Sequence, residues 1–165
     1  MNTRELRNSL TTLFAELVDG APTHGSYMLN GADPGLLRSL DRLSASAASH
    51  KIAAHVDHVR YGLSLMNRWA SGEPNPFATA DWTEAWRTTH VSDAEWAKLR
   101  AALRDEAQRW LDALGKPREV DDVALNGMIG SIAHLAYHLG AIRQIDQATR
   151  GPSEPGLTTG SPARA

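Results

Sequence analysis

The chain has 165 residues, of which 42% are hydrophobic, and a formal net charge of −2, values that are ordinary for one soluble globular domain. The charge gives no indication of a nucleic-acid partner, because nucleic-acid binding usually shows as a basic face. Cysteine is absent, which excludes disulfides, thiolate metal ligands and a thiol nucleophile from the protein itself, and fits a cytoplasmic location.

Helical periodicity runs through most of the chain and predicts an all-α protein. The first 20 residues alternate charged and apolar side chains, so they predict an amphipathic helix rather than a signal peptide or a membrane span. Asp33 and Pro34 predict the cap and the first residue of a short helix. The Ser/Ala run at 44–49 either continues that helix or breaks it. The four long predicted helices cover approximately residues 3–19, 52–70, 93–115 and 123–149.

Four amphipathic helices of this length are most economically packed as a four-helix bundle, which we expect to occupy residues 1–150 as one domain. The connections between helices 1 and 2 and between helices 2 and 3 are long. Helices 3 and 4 are joined by a short connection and are therefore expected to be antiparallel neighbours. The connection at 72–96 contains Trp82 and Trp86 and is expected either to cover a site in the bundle or to form a homodimer contact. The tail, residues 151–165, is rich in Pro, Gly, Ser and Thr and is expected to be disordered.

Two pairs of histidines stand on the apolar helices. His134 and His138 are four residues apart in the almost uninterruptedly apolar segment 127–144, so one helical face carries both. His55 and His58 face the interior from the second long helix. A buried imidazole must be hydrogen-bonded or metal-bound, because an unpaired buried polar group costs on the order of 1–3 kcal/mol. The spacing therefore predicts either an internal site for zinc, nickel, iron or copper, or a set of hydrogen-bonded core histidines.

The residues alone do not decide which histidine of the second helix faces the pair on the fourth. His55 and His58 differ by about 60° around the helix axis, so one of them is expected to share the direction of the pair. His55 stands at the centre of the apolar stripe, which suits a packing or ligand-orienting role, and His58 stands on its flank. Arg143 and Gln144 either line the mouth of the bundle or face solvent. The remaining histidines lie in or near loops and are expected to be solvated: His24, His50 and His90.

Together, the two histidine segments resemble a known family. KIAAHVDHVRYGL on the second helix, paired with IAHLAYHLGAIRQI on the fourth, is similar to the DinB/YfiT-like superfamily of bacterial metal-binding four-helix bundles, over roughly residues 3–148. The family pattern has a histidine seven residues after the opening of helix 2, and an H-x3-H pair in the last helix. The resemblance therefore implies His58, His134 and His138 as metal ligands, and it leaves His55 as an extra inward histidine.

Three neutral histidines leave the other positions of a divalent metal to water or substrate, which is the arrangement of a catalytic rather than a closed structural zinc site. No Glu stands beside the pair as it does in an H-E-x-x-H metalloprotease, and no catalytic residue is predicted beyond the metal ligands. Zinc is the expected metal and nickel is the alternative.

The resemblance also implies a reaction class. Members of the superfamily include transferases that activate a low-molecular-weight thiol on the metal, as well as isomerases and hydrolases. An external thiol suits a chain without cysteine, since metal coordination deprotonates a thiol. The expected function is a metal-dependent thiol transferase acting on a small molecule, with no nucleic-acid or membrane partner. A metal-dependent hydrolase and a non-catalytic, metal-stabilised binding or stress-response module are the alternatives.

Overall fold

A computed structural model describes residues 3–152, except for the side chain of Ala85, and shows an all-α protein. Within these residues there is no β-strand, and none of the helices is long and apolar enough to span a membrane. Short 3₁₀ turns occur at Ala85–Arg87 and Gln147–Thr149. The helices are α1 (Thr3–Asp19), α2 (Gly35–Asp41), α3 (Ala45–Ala48), α4 (Ile52–Ala70), α5 (Asp93–Gly115) and α6 (Asp122–Ile145).

Several helix ends lie where the sequence predicts them. α1 and α4 have the predicted boundaries, and α5 begins at the predicted capping box, in which Ser92 and Glu95 each accept the backbone N–H of the other. The Ser/Ala run forms a separate single turn, α3, which the side chain of Ser44 caps. α2 begins at Gly35, with Pro34 in the cap position rather than inside the helix. Side-chain caps therefore account for the starts of α3 and α5, whereas Pro34 and Lys51, before α2 and α4, make no side-chain cap hydrogen bond.

The end of α6 differs from the prediction. This helix ends at Ile145 instead of continuing to Thr149, because Asp146 leaves the helical conformation with φ −131° and ψ 119°. The Asp146 carboxylate accepts a backbone N–H two residues further on, so its side chain competes with the helical hydrogen bonds and starts a 3₁₀ turn. The predicted disordered tail, residues 151–165, lies outside the described residues from position 153 onward.

The four long helices contribute to one hydrophobic core. α4 packs on both α5 and α6, and α1 also packs on both of them. The backbones of α5 and α6 approach each other much less than either approaches α4, so the prediction that these two helices are direct antiparallel neighbours is wrong. The fully buried indole of Trp110 on α5 extends between them, and its Nε1 donates to Ser131 Oγ on α6 at 2.9 Å. A bulky side chain therefore bridges α5 and α6 where close backbone packing was expected.

The long connection between α1 and α2 is held by a close backbone approach and a buried carboxylate. Gly20 and Gly35 have φ angles of 99° and 69°, in the region that favours glycine, and a Cβ added at Gly35 would clash with the Gly20 backbone. Glu16 is only 2% exposed and reaches into the connection. Its carboxylate accepts three backbone N–H groups at 2.6–3.1 Å, those of Tyr27, Met28 and Leu29. The connection is therefore anchored to α1.

Replacing Glu16 by Ala is expected to lower the free energy of unfolding by about 3 kcal/mol, since a hydrogen bond to a charged group contributes about 1.5–3 kcal/mol and three partly buried N–H groups lose their acceptor. Urea unfolding followed by circular dichroism measures the change. Glu119→Ala, at an exposed loop position, is the matched control and is expected to have little effect. Equally small effects of the two substitutions would show that Glu16 does not anchor the connection.

Candidate metal centre

Three imidazole nitrogens converge between α4 and α6. His58 Nε2 lies 3.1 Å from His134 Nε2, and His138 Nε2 lies 3.0 Å from the same atom. Each side chain offers one nitrogen, and the three lie within 4.8 Å of one another. The structure thus brings together the three residues predicted as metal ligands, and no Asp or Glu of the described residues belongs to the group.

Helix geometry explains why these rings meet. His134 and His138 are one turn apart on the same face of α6, with ring centroids 4.5 Å apart. α4 runs antiparallel to α6, since His58 lies beside His134 while Met66 lies beside Gly127. His58 and His138 are 9% and 2% exposed, and His134 is half-buried. The cluster is therefore internal to the helix pair but accessible at His134.

His55 contacts the cluster through a hydrogen bond. Its Nδ1 lies 2.8 Å from Nδ1 of His138, and one of these two nitrogens must carry the proton, because a hydrogen bond needs a donor and an acceptor. If Nε2 of His138 offers its lone pair to a metal, then Nδ1 of His138 carries the proton and donates it to His55. This is the contact that a ligand-orienting histidine makes, and it fixes both the ring orientation and the tautomer of the ligand.

Burial favours the neutral form of all four imidazoles. It is the main cause that lowers the pKa of His55, His58 and His134. The pKa of His138 falls to about 3, first because of burial and then because of its three histidine neighbours. At His58 the nearby Asp57 raises the pKa, but burial and His55 lower it more. Neutral imidazole is the form that binds a metal, so the cluster is ready for coordination at neutral pH.

The donor set fits a divalent metal better than it fits three mutually hydrogen-bonded histidines. His134 Nε2 has either one proton or one lone pair, so it cannot form two full hydrogen bonds, to His58 and His138, at once. A cation that accepts all three lone pairs removes this conflict. Nitrogens about 2.0–2.1 Å from a tetrahedral zinc ion lie about 3.3 Å from each other, which is close to the separations of His134 Nε2 from the other two nitrogens, 3.1 and 3.0 Å.

Two tryptophans of the connection between α4 and α5 cover the cluster. The ring centroid of Trp86 lies 4.8 Å from that of His58 and 5.1 Å from that of His55, and the Trp82 centroid lies 5.6 Å from His58. Both indoles remain partly exposed, at 39% for Trp82 and 43% for Trp86. They form one wall of the site with an outer face in solvent, which corresponds to the covering role expected for this connection. The homodimer contact stays a prediction.

Hydrogen bonds fasten this covering connection to α4. The backbone N–H of Asp81 donates to the Tyr61 hydroxyl at 3.1 Å, and the Thr88 hydroxyl donates to the Asp57 carboxylate at 2.7 Å. These bonds lie on either side of Trp82 and Trp86 in the chain. The position of the two indoles over the histidines is therefore determined by contacts to the helix that carries His58.

A cavity of about 220 Å³ opens beside His134. Its walls come from α4, α6 and the covering connection. A Cβ at Gly62 would lie 3.5 Å from His134 Cε1, so the glycine brings the α4 backbone close to this ring. No charged side chain of the described residues lines the cavity; its walls include Gly62, Phe77, Trp82, Gly127 and Gly130. The cluster thus has room for a small molecule on one side.

Sequence reasoning missed the glycines as parts of the site. On α6, Gly127, Gly130 and His134 are spaced by three and four residues and therefore share a face. On α4, Gly62 follows His58 by four residues. Glycines that share a helical face with candidate metal ligands are the sequence signal for an open space beside those ligands.

The other histidines and Arg143 lie away from the cluster. The predicted exposure of the loop histidines is confirmed: His24, His50 and His90 are all exposed. Arg143, for which two positions were open, binds the buried carboxylate of Asp33 at 2.6 Å. It therefore ties α6 to the connection between α1 and α2, and is neither freely solvated nor part of the cavity.

Comparison with known proteins does not assign this chain to a family. No family model, curated protein or solved structure matches it. The similarity to the DinB/YfiT-like superfamily therefore rests on the two histidine segments, and membership of that superfamily stays a prediction.

The metal-free chain is expected to lose stability as the pH falls below about 6.5, the usual histidine pKa. Between that value and the lowered pKa of about 3 at His138, the unfolded chain binds a proton that the folded chain does not, so unfolding becomes more favourable. From about pH 7 to pH 5 this loss amounts to about 2 kcal/mol at His138 alone. Urea unfolding in the presence of a chelator at the two pH values measures it.

Two variants test the origin of this pH dependence. His138→Leu removes the buried titrating group and is expected to make the stability less dependent on pH. His24→Gln changes an exposed loop histidine and is expected to leave the pH dependence as it is in the original chain. An unchanged pH dependence in His138→Leu would contradict the assignment.

Proposed function

We propose that this protein is a metal-dependent enzyme that binds one divalent metal through His58, His134 and His138. The convergence of their nitrogens beside an uncharged cavity is the observation that supports this proposal. The DinB/YfiT-like resemblance implies the same three ligands. Zinc is the preferred metal because catalytic zinc sites commonly combine three protein ligands with a water or substrate. Nickel is the alternative, because divalent affinities favour it over iron and manganese.

The proposed architecture is a four-helix bundle with α1 opposite α4 and α5 opposite α6. The packing of α1 and of α4 on the same two helices supports this arrangement. Both pairs of consecutive long helices are then diagonal in the bundle: α1 and α4 are joined by a long connection, and α5 and α6 by the short segment 116–121. The candidate centre lies between two adjacent helices of this bundle, α4 and α6.

The residues around the centre hold and shield a reacting group. When bound, a divalent metal lowers the pKa of a coordinated thiol or water, or polarises a carbonyl. His55 orients the His138 ring through the hydrogen bond between their Nδ1 atoms. Trp82 and Trp86 cover the histidines and keep bulk water from that side. The cavity at His134 receives the small molecule.

The proposed reaction is the transfer of an external low-molecular-weight thiol. The family resemblance suggests this class, and two features of the chain agree with it: there is no cysteine in the sequence, and no carboxylate of the described residues lines the cavity to act as a general base. A hydrolase, in which water takes the place of the thiol, is the alternative. A closed structural metal site is disfavoured because a cavity opens at one of the three ligands.

Metal affinity is expected to depend on the three proposed ligands and less strongly on His55. His58→Ala, His134→Ala and His138→Ala each remove a ligand and should abolish tight zinc binding. His55→Ala should weaken binding by about 10–100-fold, the usual effect of losing a ligand-orienting partner. Competition of zinc, and then nickel, against a chelator measures these affinities, with the exposed His90→Ala as control.

Two outcomes of this titration would change the assignment. Full metal retention in both His134→Ala and His138→Ala would refute the site. Loss of the metal in His55→Ala together with retention in His58→Ala would move the ligand by one helical turn, from His58 to His55.

The reaction class is tested with the metal-loaded protein and a small thiol such as 2-mercaptoethanol. Cobalt-substituted protein is expected to gain a thiolate-to-cobalt absorption band, and zinc-loaded protein to accelerate alkylation of the thiol by an electrophile such as monobromobimane. His134→Ala should lose both effects. Cleavage of a p-nitrophenyl ester without thiol would support the hydrolase instead, and tight metal binding without either reaction would indicate a non-catalytic module.

A further inference from the structure

We propose that the small molecule bound by this protein carries an uncharged apolar chain or ring, which lies between α4 and α6 while its metal-binding end reaches the three histidines. This inference rests on the proposed function and specifies the ligand class of the same site. We call the space that holds the apolar part the seam; it is bounded by Gly62 and Met66 on α4, by Gly127 and Gly130 on α6, and by Phe77.

The seam is longer than the cavity beside the histidines. A second cavity of about 340 Å³ shares Met66, Phe77 and Gly127 with the first, and continues to Val123 near the start of α6. Between His134 and Val123 a helix of this pitch rises about 16 Å. Taken together, the two cavities fall within the roughly 300–1,000 Å³ typical of small-molecule sites. The shape suits an extended group that begins at the histidine centre.

The walls of the seam are mostly apolar. No charged side chain of the described residues lines either cavity. The one hydroxyl, Ser131 Oγ, is already satisfied, because it donates to Met128 O at 2.7 Å and accepts from Trp110 Nε1 at 2.9 Å. Among the described residues, and apart from His134, the other polar groups in these walls are the Asn75 amide and the indole N–H groups of Trp69 and Trp82, all of them uncharged. A charged group placed here would lose its hydration without compensation, whereas an apolar group would gain from burial.

Two of the three glycines of α6, Gly127 and Gly130, line the seam. Neither Gly127 nor Gly130 has the positive φ that requires glycine. A Cβ at Gly130 would meet nothing within 4 Å, and one at Gly127 would only reach ordinary contact with the Met66 side chain at 3.7 Å. Glycine inside a helix is less stable than alanine. Neither backbone strain nor close packing requires these two glycines, and both border the cavity, where a larger side chain would occupy its space.

The decisive experiment measures affinity against the length of an apolar tail at constant head group. Zinc-loaded full chain is titrated with straight-chain hydroxamic acids from acetohydroxamic to octanohydroxamic acid, because the hydroxamate head binds zinc in each. The expected result is an increase in affinity of about fourfold per added methylene, the value that follows from burying one CH₂ group. Equal affinities across the series would overturn the inference.

A matched pair of variants localises the tail. Gly130→Leu fills the seam and is expected to remove the dependence on tail length, while zinc affinity remains. Gly140→Leu places the same side chain on the same helix at an exposed position outside the seam, and should keep the full dependence. If Gly130→Leu does not fold, Gly127→Leu replaces it. An unchanged tail dependence in the seam variant would overturn the proposal.

A failure of this inference can be distinguished from a failure of the proposed function. A chain that binds no zinc refutes the proposed function, and the seam is then tested without metal by comparing 1-octanol with 1-propanol. Octanol is expected to shift the amide NMR signals of Gly62 and Gly127 in the original chain and in Gly140→Leu, but not in Gly130→Leu. Absence of shifts in the original chain would overturn the inference whatever the metal result.

Discussion

Four neutral imidazoles packed between two apolar helices impose the main constraint on this structure. A protonated ring in this position would be a buried charge, and the nearest carboxylate, that of Asp57, is already bound to Arg60 and to the Thr88 hydroxyl. The pKa of His138 is accordingly lowered to about 3 by burial and by the neighbouring rings. The site is stable only if each lone pair and each N–H of these rings has a partner without any ring becoming protonated. A metal bound by three lone pairs, with His55 accepting the proton of one ligand, satisfies that condition.

This constraint fixes the register of α4 against α6. His58 must lie beside His134, which through the antiparallel helix pair also brings Met66 beside Gly127. An ion pair outside the site holds α6 in this position. Arg143, near the end of α6, binds the buried Asp33 at 2.6 Å and so links that helix to the first connection. A shift of either helix by one turn would separate the histidines, and a shift of α6 would also break this ion pair.

The features that could be predicted from the sequence are those that depend on neighbours within one turn of helix. The capping box at Ser92 and Glu95 and the H-x3-H face of α6 are of this kind, and so the boundaries of α5 and the pairing of His134 with His138 followed directly. The choice between His55 and His58 could not be made from helical angles alone, because both face inward; only the family resemblance selected His58.

Features that depend on contacts between distant parts of the chain could not be predicted from local sequence patterns. Hydrogen bonds from an irregular connection to α4 position Trp82 and Trp86 over the histidines. An irregular segment has no hydrophobic periodicity from which this position could be predicted. The prediction that α5 and α6 are neighbours failed because a short connection limits the distance between helix ends but not which side chains fill the space between helices. Here that space holds the indole of Trp110.

The two faces of α4 differ in how closely they are packed. Towards α5, α4 has its most extensive helix contact, reinforced where Asn67 Nδ2 donates to the Glu106 carboxylate at 2.7 Å and to the Glu106 backbone carbonyl at 3.0 Å. Towards α6, the same helix presents His58 and Gly62 and leaves a cavity beside His134. An unfilled space forfeits dispersion contacts and lowers stability. The close packing on α5 holds α4 on one side, while its other face borders the cavity beside His134.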